Sequence, residues 1–239
     1  MKVSKAEFQS LEGCIIGNFT VSDFMSLRTS TGSIRTNITM FSPASGYNKP
    51  TAISIASKRG EIDADLSLFA LDPEGPCRNA SGGSFLVDAR SHTSPINVKF
   101  HEAPVNSSLV VASKTIASPI EVYLPRKFEG RFSSTSGVNL PPIGIRDFTD
   151  DPSGRNGTGT FNWDSTRTHT GLLGLGGLMS GNITWGGEEG LGRGLVELKS
   201  MLVHPVVSVY RPRPEHNPYF VDEQWFIRMH KEEELEEQW

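Results

Sequence analysis

The sequence predicts an all-β fold: one body of degenerate strand–turn–strand repeats, arranged as a β-solenoid or a twisted β-sandwich, with a short C-terminal helix. Three observations predict it. Apolar and polar residues alternate with period two over most of the chain, which marks strands that bury one face. A unit of alternating run, polar turn, Gly or Pro, Ile and second alternating run recurs along the sequence. No useful 3.6-residue period occurs before the last twenty or so residues.

The repeat is legible in LRTSTGSIRTNITMF (27–41), ISIASKRGEIDADLSLF (53–69), FLVDARSHTSPINVKF (85–100) and LVVASKTIASPIEVYL (109–124). Its anchors are Ile34, Ile62, Ile96 and Ile120, spaced 28, 34 and 24 residues apart. In each second strand one parity is apolar: Ile34, Thr36 and Ile38 against Arg35, Asn37 and Thr39, then Ile62, Ala64, Leu66 and Leu68 against Asp63, Asp65 and Ser67. Gly32 and Gly60 are expected to take positive φ in the turns, and Pro95 and Pro119 to pre-set φ at the equivalent place. A weaker copy, VELKSMLVHPVVSVY (196–210), has Pro205 followed by Val206 at the anchor. The connections SPASGYNKP (42–50), LDPEGPCRNASGG (71–83) and HEAPVN (101–106) vary in length and are rich in turn residues. One such unit cannot bury its own apolar face, so stacking must complete the core.

These elements define a β-repeat domain over 13–210, with a loosely patterned insert at 132–159 and two further strands near 159–164 and 181–186. Residues 211–239 form a Pro-rich linker and an acidic helical tail, with Val221, Trp225 and Met229 on one helical face. The N-terminal segment and this helix are candidate caps for an open stack, whose edges would otherwise favour self-association.

Composition narrows the function classes. The net charge of −4 is concentrated in 222–239, which holds seven acids and two bases, so the remaining chain is near neutral. No basic stripe is expected that could neutralise phosphates, which argues against nucleic acid as a partner. Two cysteines, Cys14 and Cys77, make no disulfide framework, and their bridging is left open. No run of eighteen apolar residues predicts a transmembrane helix. Lys5, Glu7, Gln9 and Glu12 interrupt any signal-like stretch, which favours a cytoplasmic location. Six sequons (Asn18, Asn37, Asn79, Asn106, Asn156 and Asn182) favour secretion and glycosylation instead, against roughly two expected from composition. The other source of such an excess is that Asn and Thr both favour turns and wet strand faces.

Candidate chemistry is sparse. Asp63 and Asp65 lie two apart on one strand and point the same way. With Asp88 from a neighbouring repeat they would form the carboxylate cluster of a glycan-cleaving β-helix enzyme. The six histidines (His92, His101, His169, His204, His216, His230) show no metal-ligand spacing, and no CxxC is present. Gly171, Gly174, Gly176 and Gly177 do not make a nucleotide-binding loop, so no cofactor is expected. Trp163 and Trp185 fall on the two late strands, as core residues or as stacking platforms.

The opening IIGNFTV (15–21), the turn of LRTSTGSIRTNITM, and then FEGRFSSTS (128–136), DPSGR (151–155), NITWG (182–186) and LVELKSMLVHPVVSVY occur in an order that resembles a fungal family of unknown function. The repeats of that family resemble putative-adhesin domains of bacteria, similar to autotransporter adhesin heads. The resemblance implies an all-β repeat fold and carries over no catalytic or binding residue. The expected role is a non-catalytic, adhesin-like interaction or scaffold protein with a glycan or protein partner. The alternatives are a carbohydrate-active enzyme using Asp63 and Asp65, and an intracellular adaptor acting through the C-terminal helix.

Overall fold

The computed structural model describes residues 2–44, 49–71, 81–137, 159–168, 176–185, 193–203 and 205–209. Among them every regular element is a strand. The first nine are β1 (Lys2–Ser10), β2 (Ile15–Thr29), β3 (Ile34–Pro43), β4 (Thr51–Ser57), β5 (Ile62–Leu71), β6 (Ser84–Ser91), β7 (Ile96–Glu102), β8 (Ser108–Thr115) and β9 (Ile120–Leu124). They are followed by β10 (Gly130–Ser136), β11 (Gly159–Thr168), β12 (Gly176–Trp185), β13 (Gly194–Ser200) and β14 (Pro205–Val209). The expected C-terminal helix lies outside the described residues.

The fourteen strands form one sheet in the order β11-β12-β10-β13-β8-β6-β4-β2-β3-β5-β7-β9-β14, with β1 paired to β2. The long strand β2 makes the sheet curl. Its first half pairs with β3 (Ile15↔Ile34 to Val21↔Met40) and its second half with β4 (Phe24↔Ala52 to Thr29↔Ser57). The result is a curled half-barrel of two parallel stacks joined through β2. The first stack holds β1, β4, β6, β8, β13 and β10, and the second holds β3, β5, β7, β9 and β14. From β4 onward the two strands of a repeat lie one in each stack, joined by a turn without pairing with each other, as for β4 with β5, β6 with β7 and β8 with β9.

Register follows the repeat. Ile15, Ile34, Ile62, Ile96 and Ile120 are in line across the second stack. Pro205, rather than Val206, stands opposite Ile120, so the last copy is shifted by one residue from the sequence alignment. The inward parity is buried in both stacks. A single hydrophobic cluster contains Ile53, Val87 and Val111 from the first and Ile62, Val98 and Val122 from the second. Burying each of these side chains contributes about 1.5–3 kcal/mol.

The turns carry the Ser/Thr signal. Ser10, Thr29, Ser57, Ser91, Thr115, Ser200 and Ser136 lie in register at the ends of successive first-stack strands. At five turns this hydroxyl accepts a backbone N–H three residues on: Gly13 to Ser10 (2.8 Å), Gly32 to Thr29 (3.1 Å), Gly60 to Ser57 (2.8 Å), Ser94 to Ser91 (3.1 Å) and Val203 to Ser200 (3.3 Å). Several also donate to the neighbouring turn, as Thr29 does to the Gly13 carbonyl and Ser57 to that of Gly32 (3.3 and 3.4 Å). The turns are further bonded backbone to backbone, through Thr31 to Leu11, Arg59 to Ser30, Thr93 to Lys58, Ala117 to His92 and Leu202 to Ile116.

That stacking explains the turn glycines differently from the sequence expectation. Gly32 and Gly60 are not among the positive-φ glycines of the described residues, which are Gly82, Gly83 and Gly130. Glycine is required at 32 and 60 because the turns touch. A Cβ on Gly60 would lie 1.8 Å from the Gly32 carbonyl oxygen, and one on Gly32 2.2 Å from that of Gly13.

The sheet begins before the expected boundary at residue 13, since β1 pairs in parallel with β2 and Phe8 packs on Phe19 with ring centroids 5.3 Å apart. Within the expected loose insert, β10 forms over Gly130–Ser136. It pairs in parallel with β13 and antiparallel with β12, which in turn pairs antiparallel with β11. β13 therefore returns to a slot between β8 and β10.

Candidate functional site

The outward parity of the second stack gathers the polar residues of four strands. Arg35, Asp63, Asn97 and Glu121 stand in one row, and Asn37, Asp65, Lys99 and Tyr123 in the next. Thr39 and Ser67 follow, and Phe41 lies directly opposite Phe69. The two rings are stacked with centroids 5.6 Å apart and are half-buried. Period-two alternation placed Arg35, Asn37, Asp63 and Asp65 on this face. Extending the same parity by two to four residues reaches Phe41 and Phe69, an aromatic pair on an otherwise polar face that the sequence reading did not single out.

Both candidate acids have a basic partner on β7. Lys99 Nζ lies 3.5 Å from Asp63 Oδ1, and His101 Nε2 lies 3.1 Å from Asp65 Oδ1. His101 sits at a break in register, where Leu66↔Phe100 is followed by Ser67↔Glu102. Such a bulge re-aims a side chain, and here the imidazole lies against Asp65. On the same face Asn37 donates to Asn18 Oδ1 (3.0 Å) and the Tyr123 hydroxyl donates to Glu121 Oε2 (2.9 Å). Partial burial, with Glu121 next in importance, pushes the Tyr123 phenol up to about 12. Asn97 Oδ1 is buried and accepts no hydrogen bond.

The expected three-carboxylate cluster does not form. Asp88 lies on β6, four strands from β5 along the sheet, and pairs with Arg90 at 2.9 Å. The remaining pair, Asp63 and Asp65, is two residues apart on one strand, roughly 7 Å between Cα atoms at ~3.3 Å per residue. Among the described residues no group of three or more His, Cys, Asp or Glu side chains is placed to hold a metal ion. Gly176 and Gly177 open a strand rather than a helix. Cys14 is an exposed free thiol that accepts a hydrogen bond from Ser33 Oγ at 3.3 Å, which holds its pKa below the usual thiol value. Cys77 and the side chains of Trp163 and Trp185 lie outside the described residues.

The sequons fall in unlike places. Asn18 and Asn37 are hydrogen-bonded neighbours across two strands, and Asn182 lies within β12 opposite Arg131. Asn106 is in a connection at φ 60° and accepts from Arg193. Asn79 and Asn156 lie outside the described residues.

A second gathering of charge was invisible along the chain. Gln9, Arg28, Ala56, Arg90, Lys114, Lys199 and Thr135 form one in-register row on the outer face of the first stack. This corrects the expectation that no basic stripe exists: the cations come from sites far apart in sequence, and only parallel stacking aligns them. Among the described residues no helix is long and apolar enough to cross a membrane.

Comparison with known proteins adds one similarity. A family model described as a domain of unknown function (DUF7330) matches residues 39–139. No curated protein and no solved structure matches the chain. The matched span runs from the end of β3 through β10, so it contains Phe41, Asp63, Asp65, Phe69, Lys99, His101 and Tyr123 and carries no assigned activity.

Proposed function

We propose that the chain is a non-catalytic interaction protein, adhesin-like in its solenoid-like stacked units, and that the outer face of β3, β5, β7 and β9 binds a glycan. The observation that carries this is the stacked Phe41–Phe69 pair in line with Asn37, Asp65, Lys99 and His101. Half-exposed aromatic rings beside fixed donors and acceptors offer an apolar platform for a sugar ring and partners for its hydroxyls. Asp63 and Asp65 each already have a side-chain partner on the neighbouring strand, Lys99 and His101, an arrangement that orients them as acceptors. Screening a glycan array is expected to give ligands whose binding falls roughly tenfold in Phe41→Ala/Phe69→Ala, with the far-ultraviolet dichroism spectrum unchanged. Absence of any glycan ligand, or equal binding by that variant, would overturn the reading.

A second reading has one observation in its favour. Asp63 and Asp65 lie on the same outward parity of β5, where two carboxylates could flank one glycosidic bond. Release of reducing ends from a polysaccharide panel, lost in Asp63→Asn/Asp65→Asn, would establish that reading over the first.

A further inference from the structure

We propose that the ridge where the first stack meets its turns docks on an anionic lipid membrane, a surface separate from the glycan face. Five consecutive strands, β2, β4, β6, β8 and β13, present Arg28, Ala56, Arg90, Lys114 and Lys199 in one row, the four cations all exposed. At the gap left by Ala56, the turn two residues on supplies exposed Lys58 and Arg59. Every one of these five units therefore places at least one cation on the ridge.

Like charges directly opposite one another on a sheet are destabilising, and Arg90, Lys114 and Lys199 are on adjacent strands. Among the described residues this charge is only partly neutralised. Asp88 pairs with Arg90 and Glu197 with Lys199, whereas the side chains of Arg28, Lys58, Arg59 and Lys114 make no hydrogen bond or ion pair. An external anion would supply the counter-charge that the described residues lack.

Two features select a lipid surface over a soluble polyanion. The turn tips beside Lys114 and Lys199 expose apolar side chains, Ile116 at 37%, Met201 at 43% and Leu202 at 41%. Basic residues flanking exposed apolar tips suit the headgroup boundary, where the tips insert and the cations meet phosphate. No aromatic residue occurs among the ridge residues named here, so the stacking platform that single-stranded nucleic acid uses is missing. The hydroxyl ladder and the turn-to-turn backbone bonds hold the tips in line, so the ridge is preorganised.

The test is co-sedimentation of the full chain with phosphatidylcholine vesicles, with and without phosphatidylserine, at low and high salt. Binding is expected only with phosphatidylserine and is expected to weaken with salt. The variant Lys58→Ser/Arg59→Ser/Lys114→Ser, built on residues without partners, should lose on the order of 100-fold in partitioning. Ile116→Ser/Leu202→Ser should weaken vesicle binding and leave retention on heparin unchanged. Phe41→Ala/Phe69→Ala should sediment as the unmodified chain does, so failure of this proposal and failure of the glycan reading are separable. Thermal melts check that each variant is folded, and the single variants Lys58→Gln and Lys114→Gln serve if the triple one is not. Equal binding to both vesicle types, heparin or oligonucleotide binding without vesicle binding, or wild-type sedimentation by folded cation variants would overturn the proposal.

Discussion

Ser57 serves two turns at once, accepting from Gly60 N–H and donating to the Gly32 carbonyl, and it is buried. Ser57→Ala removes both bonds and leaves buried backbone groups unsatisfied, so it should cost about 1–3 kcal/mol. Ser113 is equally buried but its hydroxyl has no partner, so Ser113→Ala should leave stability unchanged or raise it. Chemical denaturation of the two variants compares them directly. Gly60→Ala should cost about 3 kcal/mol or more, because its Cβ would meet backbone that cannot yield. Gly17→Ala, whose Cβ would meet only the Phe19 ring at 3.4 Å, should be near neutral. Two titrations belong to this scale as well. Ser33→Ala should raise the Cys14 pKa and slow its alkylation at neutral pH, measured with Cys77 replaced by Ser. The Tyr123 phenol, raised to about 12 in the folded chain from the ordinary 10, stabilises the fold equally at any pH below 10. That contribution declines as pH rises from 10 towards 12, because the unfolded chain ionises first. Ultraviolet difference titration should place one tyrosine in that upper window, and Glu121→Gln should lower it only in part, since burial is the larger cause.

Strands and their parity were legible because burial of one face imposes period two directly on the sequence. Ile34, Ile62, Ile96 and Ile120 were read as anchors, and they are in register and buried. Ile62→Ala should therefore cost about 2–5 kcal/mol, seen as a lowered denaturation midpoint. Less legible was what depends on contact between turns. Gly32 and Gly60 carry the same letters whether a turn needs positive φ or needs room for a neighbour, and only the stacked geometry separates the two. β1 was missed because Lys2, Lys5, Glu7 and Gln9 leave KVSKAEFQS with few apolar positions. Its alternation is weak, since only one face, with Ala6 and Phe8, packs on the core. The place of Pro205 was displaced by one residue because Val206 looked like the better anchor, whereas register is set by the turn that precedes it.

For the molecule as a whole, the faces were readable and their neighbours were not. The sequence assigns Asp63 and Asp65 to a wet face, but strand order decides that Lys99 and His101 join them and that Asp88 does not. The basic ridge is the clearest case: Arg28, Arg90, Lys114 and Lys199 are isolated in sequence and become a row only when parallel strands stack. The basic ridge rests on that register, which an electron paramagnetic resonance distance measurement tests most directly. Spin labels at Arg28→Cys and Lys199→Cys, with Cys14 and Cys77 replaced, span four strand spacings, or roughly 19 Å at ~4.8 Å each. A narrow dipolar distance distribution centred near that value is the predicted result. A distribution beyond roughly 30 Å, more than six such spacings, would put the two residues on separate surfaces and contradict the parallel stacking from which the ridge is built.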